Sequence, residues 1–498
     1  MRRNRATRLT ALTTLALVNV FTLTAAVVVA HMLPPRLARL KIPVAASGGP
    51  VITAGPVLPA ALPVTSSPGG GSSSTRGSGT SLSAVTLPTT AGLASLINGQ
   101  MPTSQVGPDA GVLITDAVTG KVLYAEKADT PATPASTTKL VTGVAALAVL
   151  GPQARFTTSV RQVKGGIVLV GGGDPTLAVN SYPSFDYPQP ATLASLAAKT
   201  ATALKAAGHR SVQLGYDTSL YTGPGLAPGW SDDLVTTGNV TPITSLEADQ
   251  GRLTSTGSLQ DSDDPTNYNP RTTDPAGLTA RAFAALLGAD GITVTGSPRS
   301  ATAPAGAATI ARVSSPVLSS IVEQMLQESN NVIAENLARH VAIATGRPAS
   351  FSGGAAAVTA EIRRLGVTTP ISLVDGSGLS PRDAIAPATL VTVLATAARD
   401  SQVRAVITGL PVAGFTGTLS AGNSVFGGMS GMARGVVRAK TGNLGSVADL
   451  AGLVVDSSGR LLIFALMAPR AADDGGVPVT AANAIDAAAV ALAACGCQ

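Results

Sequence analysis

Three short groupings carry side chains suited to acyl-group transfer. The first is Ser136-Thr137-Thr138-Lys139. Residues three apart share one face of a helix, so the amine of Lys139 can reach the hydroxyl of Ser136. At a helix start that hydroxyl also lies among free backbone N–H groups at the positive end of the dipole, a setting for a nucleophile and its base. The same spacing equally describes a serine N-cap followed by an ordinary helical lysine. The second grouping is Ser329-Asn330-Asn331, between the apolar run IVEQML and the helical run VIAENLARH. Ser329 and Asn331 bring a second hydroxyl and an amide able to relay a proton and hold Lys139; a plain helix cap would use the same residue types. The third is Lys440-Thr441-Gly442, followed by Asn443, between the short strand GVVRA and a C-terminal hairpin. A lysine and a hydroxyl side by side on an edge strand, with glycine allowing close backbone approach, can bind a carboxylate while the strand pairs with a peptide. An edge-strand lysine before a turn has the same signature.

Lysine usage sharpens the first grouping. The chain has 26 Arg and 8 Lys, and a guanidinium cannot serve as a general base, so a lysine retained at 139 fits a titratable amine. The three histidines, His31, His209 and His340, are scattered and give a Ser-His-Asp triad weak support. Together with Cys495 and Cys497 they form no metal-ligand spacing, so neither a metal nor a cofactor is expected. The two cysteines read as a loose C-terminal tail holding a thiol pair or a local disulfide.

The elements that must position these groups follow from hydrophobic patterning. GVLITDA (111–117) and KVLYAEK (121–127) read as a β-hairpin, and Ser136 to Leu150 as a helix buried on most sides. VADLAGLVV (447–455) and RLLIFALMA (460–468) make a second hairpin, followed by an Ala-rich helix from Thr480 to Ala494. Hairpins at both ends of the chain without polar alternation predict an α/β (α+β) fold. In it one antiparallel sheet, flanked by helices, is closed by pairing the two ends. The middle, 156–311, differs in character. It has short strands with glycine turns (SVRQVKGGIVLVGGGDPTL), a loop rich in Asp and Thr from Asp249 to Pro275, and an amphipathic helix from Leu278 to Leu287. It reads as an inserted, smaller β-rich domain between 91–155 and 312–498.

Composition bounds the function. The 498 residues are 45% apolar, 12% charged and 3% aromatic, which suits a globular body with a core of Ala, Val, Leu and Ile. The net charge of +6 invites a nucleic-acid reading, yet eight of the 34 bases precede the first acid, Asp109. The remaining 26 basic and 28 acidic residues leave no basic face, so no nucleic-acid partner is expected. Residues 1–8 read as a cytoplasmic tail holding four arginines, and 9–31 as a membrane anchor or signal. Leu9 to Ala30 carries no charge and is long enough to cross a ~30 Å hydrocarbon layer. An apolar run of this length favours an uncleaved single-pass anchor over a cleaved, secreted form. Residues 34–87 read as a disordered Gly/Pro/Ser linker with a root-mean-square reach of roughly 40 Å, carrying an extracytoplasmic body clear of the membrane.

The order S-x-x-K, S-x-N, K-T-G is far more specific than any one motif. With GGGDPTL (171–177), GYDTSLYTGPGLAPGW (215–230), SNNVIAENLAR (329–339) and DGSGLS (375–380), the sequence resembles the D-alanyl-D-alanine carboxypeptidase/endopeptidase family of penicillin-binding proteins. The resembling class carries a domain inserted between S-x-x-K and S-x-N. The resemblance implies a penicillin-binding/transpeptidase-like fold, a peptidoglycan stem peptide as substrate and β-lactams as covalent inhibitors. It puts the nucleophile on Ser136, the base on Lys139, a proton relay on Ser329 and Asn331, and carboxylate binding on Lys440 and Thr441. Backbone N–H groups of Ser136 and Asn443 would form the oxyanion hole, and Lys440 would depress the pKa of Lys139 by like-charge repulsion. Asp174 in GGGDPTL is a candidate for binding a free amine of the stem, or else a turn residue before proline. Arg382 is a candidate for the stem side chain, although Pro381 separates it from the DGSGLS run. Two alternatives share the motifs: a serine β-lactamase, and a catalytically inactive β-lactam- or wall-binding module.

Overall fold

A computed structural model of the chain describes residues 87–181, 187–254, 269–420, 433–469 and 479–497. The expected tail, anchor and nearly all of the expected linker lie outside the described residues, as does 255–268 of the Asp/Thr-rich loop. Among the described residues no helix is long and apolar enough to cross a membrane.

From the N-terminal side the elements are α1 (Thr90–Gln100), β1 (Gly111–Asp116), β2 (Val122–Glu126) and α2 (Thr138–Leu150). The middle contributes β3 (Thr157–Val163), β4 (Gly166–Val170), α3 (Leu193–Ala206), β5 (Ser211–Asp217), α4 (Pro275–Ala289) and β6 (Thr309–Ser314). Then come α5 (Leu318–Gln327), α6 (Asn331–Ala344), α7 (Phe351–Arg364), α8 (Pro387–Arg399), β7 (Arg438–Leu444), β8 (Val447–Val455), β9 (Leu461–Ala468) and α9 (Val479–Ala494).

The main sheet is antiparallel, in spatial order β7-β8-β9-β1-β2. Its central pairing joins the chain ends: Leu113 faces Ala465 and Ile114 faces Phe464 across β1 and β9. Both faces are covered, which explains why neither hairpin alternates apolar with polar. On β9, Ile463, Ala465 and Met467 pack with α2, α6 and α8, while Leu462, Phe464 and Leu466 pack with α1 and α9. The period of two along the strand thus feeds two cores at once.

The middle segment builds its own sheet, ordered Thr293–Val294, β5, β4, β3, β6, with Arg299–Ser300 also pairing β5. β4 and β5 run parallel, with α3 as the crossover between them. Val160, Ile167 and Leu169 of this sheet pack on Leu196 and Leu204 of α3 and on Phe283 and Leu287 of α4. The amphipathic pattern of 278–287 becomes α4, whereas α3 goes unannounced because its Ala-rich composition blurs its apolar stripe.

The C-terminal tail is not loose. Cys495 and Cys497 form a disulfide, Cys495 is buried, and the Cys497 carbonyl accepts the Thr89 N–H at 2.7 Å, tying the end of the chain to the start of α1. On the sheet, Arg460 at the start of β9 donates to Asp116 at the end of β1 through Nε and, at 2.9 Å, through Nη2. Burial acts to raise the Asp116 pKa, but the bonds from Arg460 and Thr119 prevail and hold it down at about 2. Asp116→Asn breaks this buried pair, a change that typically costs about 3–5 kcal/mol. A depressed carboxyl stabilises the fold above its unfolded value of about 4 and loses that contribution as pH falls through about 2. Urea titrations should therefore show the variant weaker than wild type at neutral pH, with the gap closing below pH 4.

Candidate active site

Ser136 lies one turn before the helix that the sequence placed it in. Ala135–Thr137 form a 3₁₀ turn, and α2 begins at Thr138. A 3₁₀ turn stacks residues three apart, so the tighter winding still aligns Ser136 with Lys139. Lys139 Nζ donates to Ser136 Oγ at 2.9 Å, to Asn331 Oδ1 at 2.7 Å and to the Ser377 carbonyl at 2.8 Å. Ser136 remains half-buried, whereas Lys139 is fully buried. Ala135 takes a positive φ of 44°, a left-handed conformation that costs a residue with a Cβ.

Two glycines let other segments press against this turn. A Cβ on Gly378 would lie 1.8 Å from the Ala135 carbonyl, and its φ of +82° already favours glycine. A Cβ on Gly442 would lie 2.7 Å from the Pro134 carbonyl. The glycines of DGSGLS and K-T-G thus bring their backbones alongside the turn that carries Ser136.

Burial pushes the Lys139 amine down to about 7, against the opposing pull of Asp375, Glu335 and Asp383. Desolvation, not the expected repulsion from Lys440, is the leading cause of this depression, and the repulsion between the two amines is felt at Lys440. Lys440, also fully buried, is itself held well below its usual range by burial first and by Lys139 second.

The carboxylates behind Lys139 were not singled out from the sequence. Asp375 Oδ1 accepts the N–H groups of Ser377 and Gly378, and Oδ2 accepts those of Ser380 and of the Trp230 indole, at 2.7–3.0 Å. Glu335 Oε1 accepts the N–H groups of Gly376 and Ser377, and Thr142 donates to the Gly376 carbonyl. Together they fix the loop whose Ser377 carbonyl receives Lys139. The signal for Glu335 was its place four residues after Asn331, on the same helix face. The signal for Asp375 was its place at the head of a D-G-S-G turn, where an aspartate accepts nearby N–H groups.

Ser329 and Asn331 end up in different situations. Asn330, not Ser329, caps α6 by accepting the Ile333 N–H at 3.1 Å. Asn331 points into the site. Ser329 sits at a positive φ of 54°, and among the described residues its hydroxyl has no hydrogen-bond partner.

K-T-G lies within β7 rather than after it, at the edge of the main sheet. Ala439 N–H donates outward to the Pro411 carbonyl, and the Val437 carbonyl accepts outward from Ala413 N–H, both at 3.0 Å. With a period of two, the N–H and C=O groups of Thr441 and Asn443 also point away from β8. Lys440 Nζ rests on the Thr441 carbonyl at 2.8 Å, and Thr441 Oγ1 donates to Thr418 Oγ1 at 3.1 Å. Asn443 is exposed.

Asp174 does not lie on an open surface: it is 3% exposed, and its Oδ1 holds a turn by accepting the N–H and hydroxyl of Thr176. Burial raises its carboxyl to about 6. Arg382 is exposed and packs against Gly229 of the GPGLAPGW stretch, while the Pro381 carbonyl accepts from Thr133, three residues before Ser136. His340 is a core histidine, stacked on Phe156 and bonded through Nε2 to the Gly173 carbonyl.

Residues 96–256 and 246–492 match the D-Ala-D-Ala carboxypeptidase 3 (S13) family. The chain is 39% identical over 421 residues to the carboxypeptidase DacB of Mycolicibacterium smegmatis, an alignment spanning 82% of this chain and 85% of the relative. It is 28% identical over 427 residues to a D-alanyl-D-alanine carboxypeptidase of an Actinomadura species, across 71% and 77% of the two chains. Its fold is similar to the crystal structure of penicillin-binding protein 4 (dacB) from Haemophilus influenzae, with a TM-score of 0.64, 23% identity, and coverage of 79% of this chain and 97% of that one.

Gly378→Ala should displace the turn carrying Ser136 and slow reaction at its hydroxyl about tenfold or more, since misplacement on the scale of 1 Å can cost about a hundredfold. Gly346→Ala is the control, because Gly346 also has a positive φ but nothing lies near its absent Cβ. Equal rates of Ser136 modification in the two variants would refute the packing argument.

Proposed function

Because the chain belongs to the D-Ala-D-Ala carboxypeptidase 3 (S13) family and is a serine-type D-Ala-D-Ala carboxypeptidase, we propose that Ser136 is its nucleophile and Lys139 its general base. The observation carrying this reading is the 2.9 Å contact between Lys139 Nζ and Ser136 Oγ, made by a lysine stripped of solvent. A lysine whose pKa is lowered to about 7 is substantially neutral at working pH and can take the hydroxyl proton.

Ser136 Oγ then attacks the carbonyl of the penultimate D-Ala. The N–H groups of Ser136 and Asn443 receive the developing oxyanion, and the outward set of Asn443 on β7 suits it to that role. Collapse breaks the peptide bond, and the proton held by Lys139 passes to the leaving amine through Ser329. Terminal D-Ala departs, and water hydrolyses the ester on Ser136. Lys440 and Thr441 bind the terminal carboxylate, while the outer edge of β7 beyond Thr441 pairs with the stem backbone. Acting on a D-Ala bond at a cross-link, the same steps give endopeptidase cleavage. A β-lactam enters as a cyclic mimic of the scissile amide and leaves Ser136 acylated. The uncharged run from Leu9 to Ala30 behind four arginines supports attachment to the membrane, with the catalytic body outside the cytoplasm.

Labelling the full chain with a fluorescent penicillin tests the assignment. Ser136→Ala should take up no label, and Lys139→Arg should fold yet acylate about 10²–10⁴-fold more slowly. In the wild type the acylation rate should climb as pH rises through about 7, where Lys139 loses its proton, and level off above it. A labelled Ser136→Ala variant, or a flat profile between pH 6 and 8, would break the assignment.

A further inference from the structure

The Ser329–Asn331 turn is gripped from the middle segment of the chain rather than from the main sheet. Asn331 Nδ2 donates to the Asn239 carbonyl at 2.9 Å, which leaves Oδ1 facing Lys139. Asn330 Nδ2 donates to Gln250 Oε1 at 2.8 Å. Arg271 joins the two contacts: its Nε donates to the Gly238 carbonyl at 2.9 Å, one residue before Asn239, and its Nη1 donates to the Gln250 carbonyl at 2.7 Å.

The strand of backbone that presents Gln250 is unusual. Asp249, Gln250 and Gly251 take φ values of 48°, 52° and 66° in succession, and Asp249 and Gln250 are 3% and 2% exposed. Consecutive left-handed residues with a Cβ are costly and persist where surrounding structure over-determines them. Here the determinants are Arg271, Asn330 and Arg252, the last donating to Gln250 Oε1 at 2.9 Å. Arg271 is 7% exposed; its guanidinium donates to these two carbonyls, its backbone N–H donates to the Val235 carbonyl, and the charges of Glu247 and Glu328 favour its charged form.

An asparagine amide can present either its oxygen or its NH₂ to a neighbour. Only the oxygen orientation lets Asn331 accept from Lys139, and a carbonyl on the far side of the amide selects that orientation. We propose that Arg271, together with Gln250, is a positioning residue: it fixes the Asn239 carbonyl and the Asn330 side chain, and through them the amide of Asn331 that holds Lys139 on Ser136. The middle segment is then part of the machinery that makes Lys139 an effective base. The inference rests on the assignment of Lys139 above.

The test uses Arg271→Met, which keeps much of the volume and removes the donors, and Arg271→Lys, which restores one donor. Stopped-flow labelling of the full chain with a fluorescent penicillin separates non-covalent affinity from the acylation rate constant. Arg271→Met should melt as a folded protein, bind penicillin with unchanged affinity and acylate at least about tenfold more slowly, with Arg271→Lys in between. Gln250→Met, which retains the backbone carbonyl used by Arg271 but removes one of the two acceptors of Asn330 Nδ2, leaving Glu328 Oε2, should show the same split with a smaller loss. A folded Arg271→Met with the wild-type rate constant, or one that loses affinity and rate alike, overturns the inference. So does failure of both Met variants to fold, which would assign the pair to the fold alone. Lys139→Arg run alongside separates the two assignments: an unimpaired Lys139→Arg breaks the base assignment, while an impaired Lys139→Arg beside an unimpaired Arg271→Met breaks only this one.

Discussion

An ammonium group gives up its proton near neutral pH only where its charge is costly to keep, and in this protein that cost comes from taking Lys139 out of water. Burial alone would leave a mobile amine with unmet hydrogen bonds. The surrounding structure supplies three acceptors, on Ser136, Asn331 and the Ser377 carbonyl, drawn from three separate stretches of chain. The carboxyls beyond them pull toward the charged form, so the amine is poised by opposition: desolvation on one side, Asp375, Glu335 and Asp383 on the other. Burial and the charge of Asp375 raise the carboxyls of Glu335 and Asp383 in turn, so the cost of crowding charge into this cluster is shared across it.

That balance needs rigid walls. α2 brings Lys139, α6 brings Asn331 four residues ahead of Glu335, and β7 brings Lys440. α2 and α6 share one apolar core with the inner face of the main sheet, in which Leu140, Val144, Ile333 and Leu337 pack with Ala465 and Met467. The opposite face is held by α1 and α9. A sheet buried on both sides has little freedom to slide in register, because a slip of one residue would exchange the two cores.

Much of this was legible from residue types and spacing. The two hairpins and their closure by the chain ends follow from runs without polar alternation, and α4 follows from an amphipathic pattern. The cluster of Ser136, Lys139 and Asn331 was implied by motif order, although 192 residues separate Lys139 from Asn331. What escaped has a common physical reason. Asp375 and Glu335 bind backbone N–H groups of a loop, and their places in the D-G-S-G turn and on the Asn331 face of α6 do not say that both close on the same loop. The grip of Asn239 on Asn331 is likewise a main-chain carbonyl. Lys139 owes its lowered pKa first to desolvation, which depends on what packs around it and not on which charged residue is conspicuous nearby. Asp174 carries the same lesson: its motif suggested a binding group, and only the fold reveals that Thr176 and burial turn it inward.

The central place of β9 also has a consequence for synthesis. A ribosome releases the chain from the N-terminus, so the β1–β2 hairpin emerges some 350 residues before the strand that Leu113 pairs with, at Ala465. Until β9 exists, β1 and β8 each present an unsatisfied edge, the kind of surface that pairs indiscriminately with other chains. The sheet within 157–314 draws on strands from that stretch alone and has no such wait. A premature stop between Val455 and Leu461 would therefore yield two sticky half-sheets rather than a smaller working enzyme, although all three sequence motifs would already have been made.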